Sequence, residues 1–134
     1  MTHINEIEGI GAVQSKKLEA AGIQSVEALL QQAATPKARE ELEAKTGIGQ
    51  HHLLRWVNQA DLFRIKGIGR QYAELLEKAG VDSVLELAQR NPGHLHAKLV
   101  EVNDAHHHVS VVPNLEHVKQ WVETAKALPR VVQY

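Results

Sequence analysis

A tandem repeat constrains this chain more than any other feature of its sequence. Eleven of the 24 residues in 7–30 recur unchanged 58 positions later, in 65–88. Each copy begins with an apolar-x-Gly-Ile-Gly pattern and continues at helical spacing. A third Gly-Ile-Gly tripeptide lies between the copies at 47–49, in a chain with only nine glycines. Because repeats of this length correspond to duplicated structural units, the sequence predicts two related units.

Composition limits the classes of function that the chain can have. Its 15 Lys and Arg residues balance 16 Asp and Glu residues, so no global field attracts a polyanion and any such site must be local. The absence of cysteine excludes disulfides and thiolate metal sites and is compatible with a reducing cytoplasm. Neither an export signal nor an apolar run of roughly 20 residues is visible, so we expect a cytoplasmic protein without a membrane partner.

The spacing of apolar residues predicts an all-α fold of two fused units. Residues 1–61 form the first repeat, and residues 62–134 form the second repeat with a His-rich loop and a C-terminal tail. Thr35-Pro36 and Asn91-Pro92 each place an N-cap before a proline, which marks a helix start. Ser25 and Ser83 are the predicted N-caps of two further helices. Trp56 and Trp121 match in the repeat on apolar helix faces and are predicted core residues. Apolar alternation near residue 110 and in the tail also allows a short C-terminal β-ribbon.

The pattern Ile65-Lys66-Gly67-Ile68-Gly69, and its copy Ile7-Glu8-Gly9-Ile10-Gly11, resembles the helix-hairpin-helix motif. The order of the whole repeat is similar to small SAM-domain-like units of archaeal recombinases and DNA-repair proteins. Nearly the whole chain also resembles a bacterial family of tandem helix-hairpin-helix proteins catalogued as a domain of unknown function. The resemblance implies two helix-hairpin-helix units that bind a nucleic-acid phosphate through main-chain N–H groups, regardless of base sequence.

The three Gly-Ile-Gly tripeptides are unequal as candidate phosphate sites. The second is the strongest, because no acidic residue lies between Leu62 and Ala73. The first has two lysines one turn into the following helix, but Glu6 and Glu8 would repel phosphate. The candidate binding residues are Arg64, Lys66, Gly67, Ile68, Gly69 and Arg70 at the second tripeptide, Gly9, Gly11, Lys16 and Lys17 at the first, and Gly47 and Gly49 at the middle one.

Other functions have weaker support in the sequence. The aspartates Asp61, Asp82 and Asp104 are scattered, and no nucleophile has a base at recognisable spacing, so we expect no enzymatic activity and no cofactor. Five histidines fall within 94–108, but no carboxylate joins them at ligand-like spacing, so we expect no dedicated metal site. We therefore expect binding of a DNA or RNA backbone. The alternative is a protein-interaction or scaffold module whose partner is another protein or a second copy.

Overall fold

The fold is all-helical, as the sequence predicts. The computed structural model describes residues 2–134. Among these residues, none of the helices combines the length and the apolar character needed to cross a membrane. A short 3-10 turn at Ile4–Glu6 comes first. The α-helices that follow are α1 (Ala12–Ala20), α2 (Val26–Gln32), α3 (Pro36–Thr46), α4 (Gln50–Leu62), α5 (Arg70–Lys78), α6 (Val84–Ala88), α7 (Pro92–His106) and α8 (Leu115–Ala127).

The helices begin where side chains can cap them. The hydroxyl groups of Ser25 and Ser83 each accept a hydrogen bond from the backbone N–H three residues ahead, at 3.0 and 3.1 Å. Thr35 and Asn91 cap α3 and α7 in the same way, each ahead of a proline at the start of the helix. Such caps satisfy N–H groups that have no partner within the helix. These four starts are those that the sequence predicts.

The chain forms two compact units. The first contains residues 2–61 together with Arg130–Tyr134, and the second is Leu62–Pro129. Sequence reasoning placed the tail with the second repeat, whereas the last five residues lie in the first unit. The reason is a set of specific contacts that the tail makes with α3 and α4.

Arg39 holds the C-terminal tail in the first unit. Its side chain is 4% exposed and donates a hydrogen bond to the carbonyl oxygen of Gln133. The backbone N–H of Gln133 donates to the carbonyl of Ala34 at 2.8 Å, and the Tyr134 hydroxyl donates to Asn58 Oδ1 at 2.8 Å. Burial lowers the pKa of the Arg39 guanidinium, an effect that Tyr134 partly opposes. The tail is therefore held by polar contacts with Arg39, Ala34 and Asn58 and by the burial of Val132, which is 3% exposed.

The β-ribbon that the sequence allows does not form among residues 2–134. Residue 109 lies in an extended loop after α7, where the Asn103 side chain satisfies both of its backbone groups. Asn103 Oδ1 accepts from the Val109 N–H at 2.9 Å, and Asn103 Nδ2 donates to the Val109 carbonyl at 3.0 Å. The tail instead donates from the Gln133 N–H to the carbonyl of Ala34, which lies between α2 and α3. The backbone groups of Val109 and Gln133, which a β-ribbon would pair with a second strand, are therefore hydrogen-bonded to Asn103 and Ala34 instead.

Each unit has an apolar core that includes its Gly-Ile-Gly isoleucines. In the second unit, α8 packs against α6 and α7. Both tryptophans are buried, Trp56 at 3% and Trp121 at 4% exposure, as predicted for core residues. Fully buried side chains of the first unit include Ile4, Ile7, Leu18, Ile23, Leu29 and Leu53, and those of the second include Leu62, Leu75, Leu76, Val81, Leu87 and Leu99.

Candidate nucleic-acid interface

The second turn, Gly67-Ile68-Gly69 with the two residues before it, leads directly into α5. The Ile65 carbonyl accepts a hydrogen bond from the Ile68 N–H at 3.0 Å, which closes a four-residue turn. Gly67 occupies its third position with φ 93°, the positive value that a type II turn requires there. Gly69 is the N-cap of α5, and no side chain of residues 2–134 caps this helix. The first N–H groups of α5 therefore begin beside an exposed glycine.

The first turn, Gly9-Ile10-Gly11 with the two residues before it, repeats this backbone. The Ile7 carbonyl accepts from the Ile10 N–H at 3.1 Å, and Gly9 has φ 97°. Gly11 is the N-cap of α1, again without a side-chain cap. Both isoleucines are buried, so the turn is anchored by its apolar positions while its glycines face outward.

A tryptophan lies against the first glycine of each of these turns. A Cβ atom added to Gly9 would lie 3.2 Å from Trp56 Nε1, and one added to Gly67 would lie 3.2 Å from Trp121 Nε1. That separation is too short for a comfortable contact, so the close packing as well as the positive φ favours glycine. The Trp56 Nε1 atom is buried and has no hydrogen-bond partner within residues 2–134. Trp56 and Trp121 therefore pack against the first and the second turn in the same way.

The charges of the two turns are opposite. At three pairs of positions in or directly beside the turns, 58 residues apart, the first copy has two acids and an alanine, a formal charge of −2, while the second has three bases, a charge of +3. The difference is five charges at equivalent places. The pairs are Glu6 and Arg64, Glu8 and Lys66, and Ala12 and Arg70.

The three basic residues of the second turn differ in how they are used. The half-buried Arg64 donates through Nη2 to the carbonyl of Pro129 at 3.1 Å, a contact that joins the turn to the end of α8. Arg70, the exposed first residue of α5, also has an interaction partner in the folded chain. Lys66 is exposed and forms no ion pair with any of residues 2–134. Lys66 is therefore the basic side chain most available to an external anion.

The two lysines near the first turn lie further from their helix start. Lys16 and Lys17 are the fifth and sixth residues of α1, and Lys17 belongs to its last turn. At 1.5 Å per residue they are about 6 to 8 Å along the axis from Ala12. Both are exposed. They form a basic edge on α1 rather than part of the turn itself.

The middle turn, Gly47-Ile48-Gly49, is already occupied by a carboxylate of the protein. Gly47 ends α3 with φ 75°, and the chain reverses so that α4 starts beside Glu43. Glu43 Oε2 accepts from the Gln50 N–H at 3.2 Å, and Oε1 accepts from Gln50 Nε2 at 3.1 Å. A phosphate would meet a negative charge there. Sequence reasoning missed this contact, because nothing in the spacing of these residues signals where α3 turns back.

A surface pocket of about 540 Å³ adjoins the second turn. The rings of Tyr72 and Trp121 lie 5.4 Å apart, centroid to centroid, and the Tyr72 hydroxyl donates to the Val111 carbonyl at 2.8 Å. Of the pocket residues on α8, the sequence predicts a role only for Trp121, as a core residue, although the i, i+3, i+4, i+7 spacing of all four indicates a shared face. The lining residues are Lys66, Gly67, Tyr72, His117, Gln120, Trp121 and Thr124.

The histidine-rich segment brings two rings together. The His106 and His108 ring centroids are 5.7 Å apart, and the backbone of His107 between them is left-handed, with φ 51°. Within residues 2–134 no group of three or more His, Cys, Asp or Glu side chains is placed to hold a metal ion.

Comparison with known proteins identifies a family. The chain matches the family model described as Domain of unknown function (DUF4332) over residues 8–128. No curated protein and no solved structure gives a significant match. The matched range begins within the first turn, includes the middle and second turns, and ends at the close of α8, so it covers most of both units. The chain therefore belongs to the DUF4332 family.

Proposed function

We propose that this protein is a cytoplasmic, non-enzymatic binder of DNA or RNA phosphate backbones and that it acts through the second turn. In this proposal each unit is a helix-hairpin-helix of the SAM-domain-like kind, with a Gly-Ile-Gly turn as its hairpin. The observation that carries the proposal is the start of α5, which has a glycine N-cap, no side-chain cap and the exposed Lys66 three residues before it.

The start of α5 has the chemistry that an external phosphate requires. The first N–H groups of a helix lack intrahelical acceptors, and the helix dipole adds a partial positive charge at the same end. Because Gly67 and Gly69 have no side chains, a phosphate can approach the backbone closely. Lys66 adds a full charge beside these donors. None of these groups reads a base edge, so the binding is independent of nucleotide sequence.

The other two turns lack one or more of these features. The middle turn has Glu43 at the start of α4, where a phosphate would have to displace a carboxylate. The first turn has the same backbone as the second but places Glu8 where the second has Lys66. A single phosphate site at the second turn also agrees with the balanced charge of the whole chain, since only a local field is needed.

A protein partner is the second candidate, and it is favoured at the first turn. Val13, the second residue of α1, is 67% exposed beside a turn that carries two glutamates. Its counterpart in the second unit is the polar residue Gln71. An apolar side chain at an acidic turn suits a basic or apolar protein surface better than a phosphate. If the protein binds no nucleic acid, this turn is the surface from which a partner should be sought.

The test is a titration of labelled duplex, single strand and four-way junction with the full chain at low and moderate salt. Lys66→Glu is compared with Lys78→Glu, which makes the same charge change at an exposed position at the far end of α5. We expect wild-type affinity to fall steeply with salt, and Lys66→Glu to weaken binding and to reduce the slope of log K against log salt by about 1 or more.

Two results would contradict the proposal. Binding that does not respond to salt would exclude a phosphate mechanism, because counterion release accompanies phosphate contacts. Equal losses in Lys66→Glu and Lys78→Glu would show that net charge, rather than the second turn, controls the affinity. Helix content and thermal unfolding of both variants, followed by circular dichroism, exclude misfolding as the cause of any loss.

A further inference from the structure

We infer that the pocket beside the second turn receives an unpaired nucleobase whose adjoining phosphate lies at Lys66 and the start of α5. This inference rests on the proposed function and specifies its ligand as a base together with its phosphate, the unit found at frayed ends, overhangs and gaps. The pocket and the phosphate site share Lys66 and Gly67, so one nucleotide can reach both.

The size and the walls of the pocket suit an aromatic ring. About 540 Å³ lies within the range of small-ligand sites and exceeds the volume of one nucleobase. The half-buried Tyr72 supplies aromatic surface to the pocket, and Trp121, which is 4% exposed, contributes only a small part of the lining; the two rings are inclined at 52° to one another. Aromatic side chains bind bases of any kind by stacking and contact with the ring face, which requires no particular sequence. A base in this position would therefore leave the sequence independence of the phosphate contact intact.

The polar groups around the pocket are not committed to the fold. The side chains of His117, Gln120 and Thr124 lie on one face of α8, and none of them makes a side-chain hydrogen bond within residues 2–134. Amide, hydroxyl and imidazole groups can donate to or accept from the edge of a base. A base held within a paired duplex would keep its edge in the partner strand, so an unpaired base is the form that fits.

Among the three turns, only the second has an aromatic pocket wall next to basic residues. At the first turn the position equivalent to Tyr72 is Gln14, and Trp56 is stacked with His52, their ring centroids 5.9 Å apart. Trp121 lines the pocket beside the second turn, although it is nearly as buried as Trp56, at 4% against 3% exposure. The aromatic wall and the basic turn therefore coincide only at the second turn.

The experiment compares four labelled or free probes with the full chain at one low salt concentration. They are a blunt DNA duplex, the same duplex with a four-nucleotide overhang, the same overhang lacking its bases, and free adenosine monophosphate. We expect the overhang to be bound about tenfold more tightly than the blunt duplex, a gain of the size that base stacking on aromatic side chains provides. The abasic overhang should bind like the blunt duplex.

Gln120→Trp tests the pocket directly, because an indole placed at this exposed position of α8 fills it from the rim. The matched control is Ala127→Trp, which adds the same ring at another exposed position of α8, without a change in charge. Gln120→Trp should reduce the overhang preference, the ratio of overhang to blunt-duplex affinity, to about one. Ala127→Trp should keep the full preference.

The possible outcomes separate this inference from the proposed function. Equal binding of blunt and overhang duplexes, still dependent on salt and on Lys66, would overturn the base pocket and leave the phosphate site standing. Binding of adenosine monophosphate alone, lost in Gln120→Trp, would keep the pocket as a free-nucleotide site and overturn the strand as its source. If none of the four probes binds, both the pocket and the phosphate site are wrong.

Discussion

The first and second turns have the same backbone and opposite chemistry. Their first glycines have φ 97° and 93°, and each lies equally close to a tryptophan indole nitrogen. The three matched positions in and beside these turns carry formal charges of −2 and +3. Packing dictates the buried residues of a duplicated turn, because any change there disturbs the core, whereas exposed positions are free to diverge. A shared turn geometry therefore predicts a fold, and only the charge around it distinguishes a phosphate site from another surface.

The largest predicted effect concerns what the turns share. Gly9→Ala and Gly67→Ala should each reduce the free energy of unfolding by about 2 kcal/mol, and by similar amounts. Both changes place a Cβ in a left-handed backbone and 3.2 Å from a tryptophan nitrogen. Chemical denaturation of the purified variants measures the loss.

The second glycines of the same turns provide the control. Gly11 and Gly69 have negative φ values, −89° and −105°, and a Cβ added to either would meet nothing within 4 Å. Alanine at these positions should cost well under 1 kcal/mol, since only the weak preference for glycine at an N-cap is lost. If alanine at Gly69 costs as much as alanine at Gly67, neither the φ nor the packing explains the role of the glycines.

The next predicted effect depends on charge, the property in which the first and second turns differ. In the Lys66→Glu background, the double change Glu6→Arg/Glu8→Lys raises the formal charge at the three matched positions of the first turn from −2 to +2, close to the +3 of the second turn. It should restore salt-sensitive duplex binding by about tenfold, or about 1.4 kcal/mol. The uncapped start of α1 supplies the N–H donors. Fluorescence anisotropy at low salt measures the recovery.

A charge-matched control distinguishes the turn from the overall field. Glu40→Arg/Glu41→Lys makes the same change in net charge on exposed positions of α3. Recovery with this control equal to that of the first-turn variant would mean that net charge alone controls binding. No recovery with either would mean that the second unit supplies something besides charge, for which the aromatic pocket is the next candidate.

Local chemistry explains what could be predicted from the sequence. Each N-cap side chain accepts a hydrogen bond from an N–H group three residues ahead, so these helix starts can be predicted from a short stretch of sequence. The N-caps are Ser25, Thr35, Ser83 and Asn91. The all-helical class follows in the same way from apolar spacing. The correspondence between Trp56 and Trp121 could also be predicted, because aligning the two repeats matches residues that are distant along the chain.

Contacts between distant residues account for what was missed. Arg39 holds Gln133 across 94 residues, and Asn103 satisfies the backbone of Val109 where a strand was thought possible. Neither contact leaves a pattern in the sequence, because a side chain that reaches a backbone group needs no particular residue type at the other end. The contact of Glu43 with the start of α4 likewise leaves no pattern in the sequence, although it decides whether the middle turn can receive a phosphate.

A smaller effect is expected at the helix caps that the two units have in common. Ser25→Ala and Ser83→Ala each remove the acceptor of one N–H hydrogen bond at the start of α2 or α6 and should cost about 1 kcal/mol. Thermal unfolding gives both values. Losses that differ by much more than a factor of two would mean that the two starts are supported differently by their surroundings, despite the same cap geometry.

The smallest predicted effect concerns Glu27, the second residue of α2, where the two units differ. Glu27 has both carboxylate oxygens 3.2 Å from the Thr2 N–H, whereas its counterpart in the second unit is Leu85. Hydrogen bonds from the backbone, first its own and then that of Thr2, lower the pKa of Glu27 below its ordinary value of 4.5, against an opposing effect of burial.

The sign of this shift fixes the pH range in which Glu27 matters. Because the pKa of Glu27 is lower in the folded chain than in the unfolded one, its stabilising contribution is complete above about pH 4.5 and is lost as the pH falls through the folded value. Wild-type protein should therefore lose slightly more stability than Glu27→Gln over that descent, as measured by denaturation at a series of pH values. Parallel curves for the two proteins would mean that the first unit gains nothing from this carboxylate and that the two helix starts are equivalent in acid.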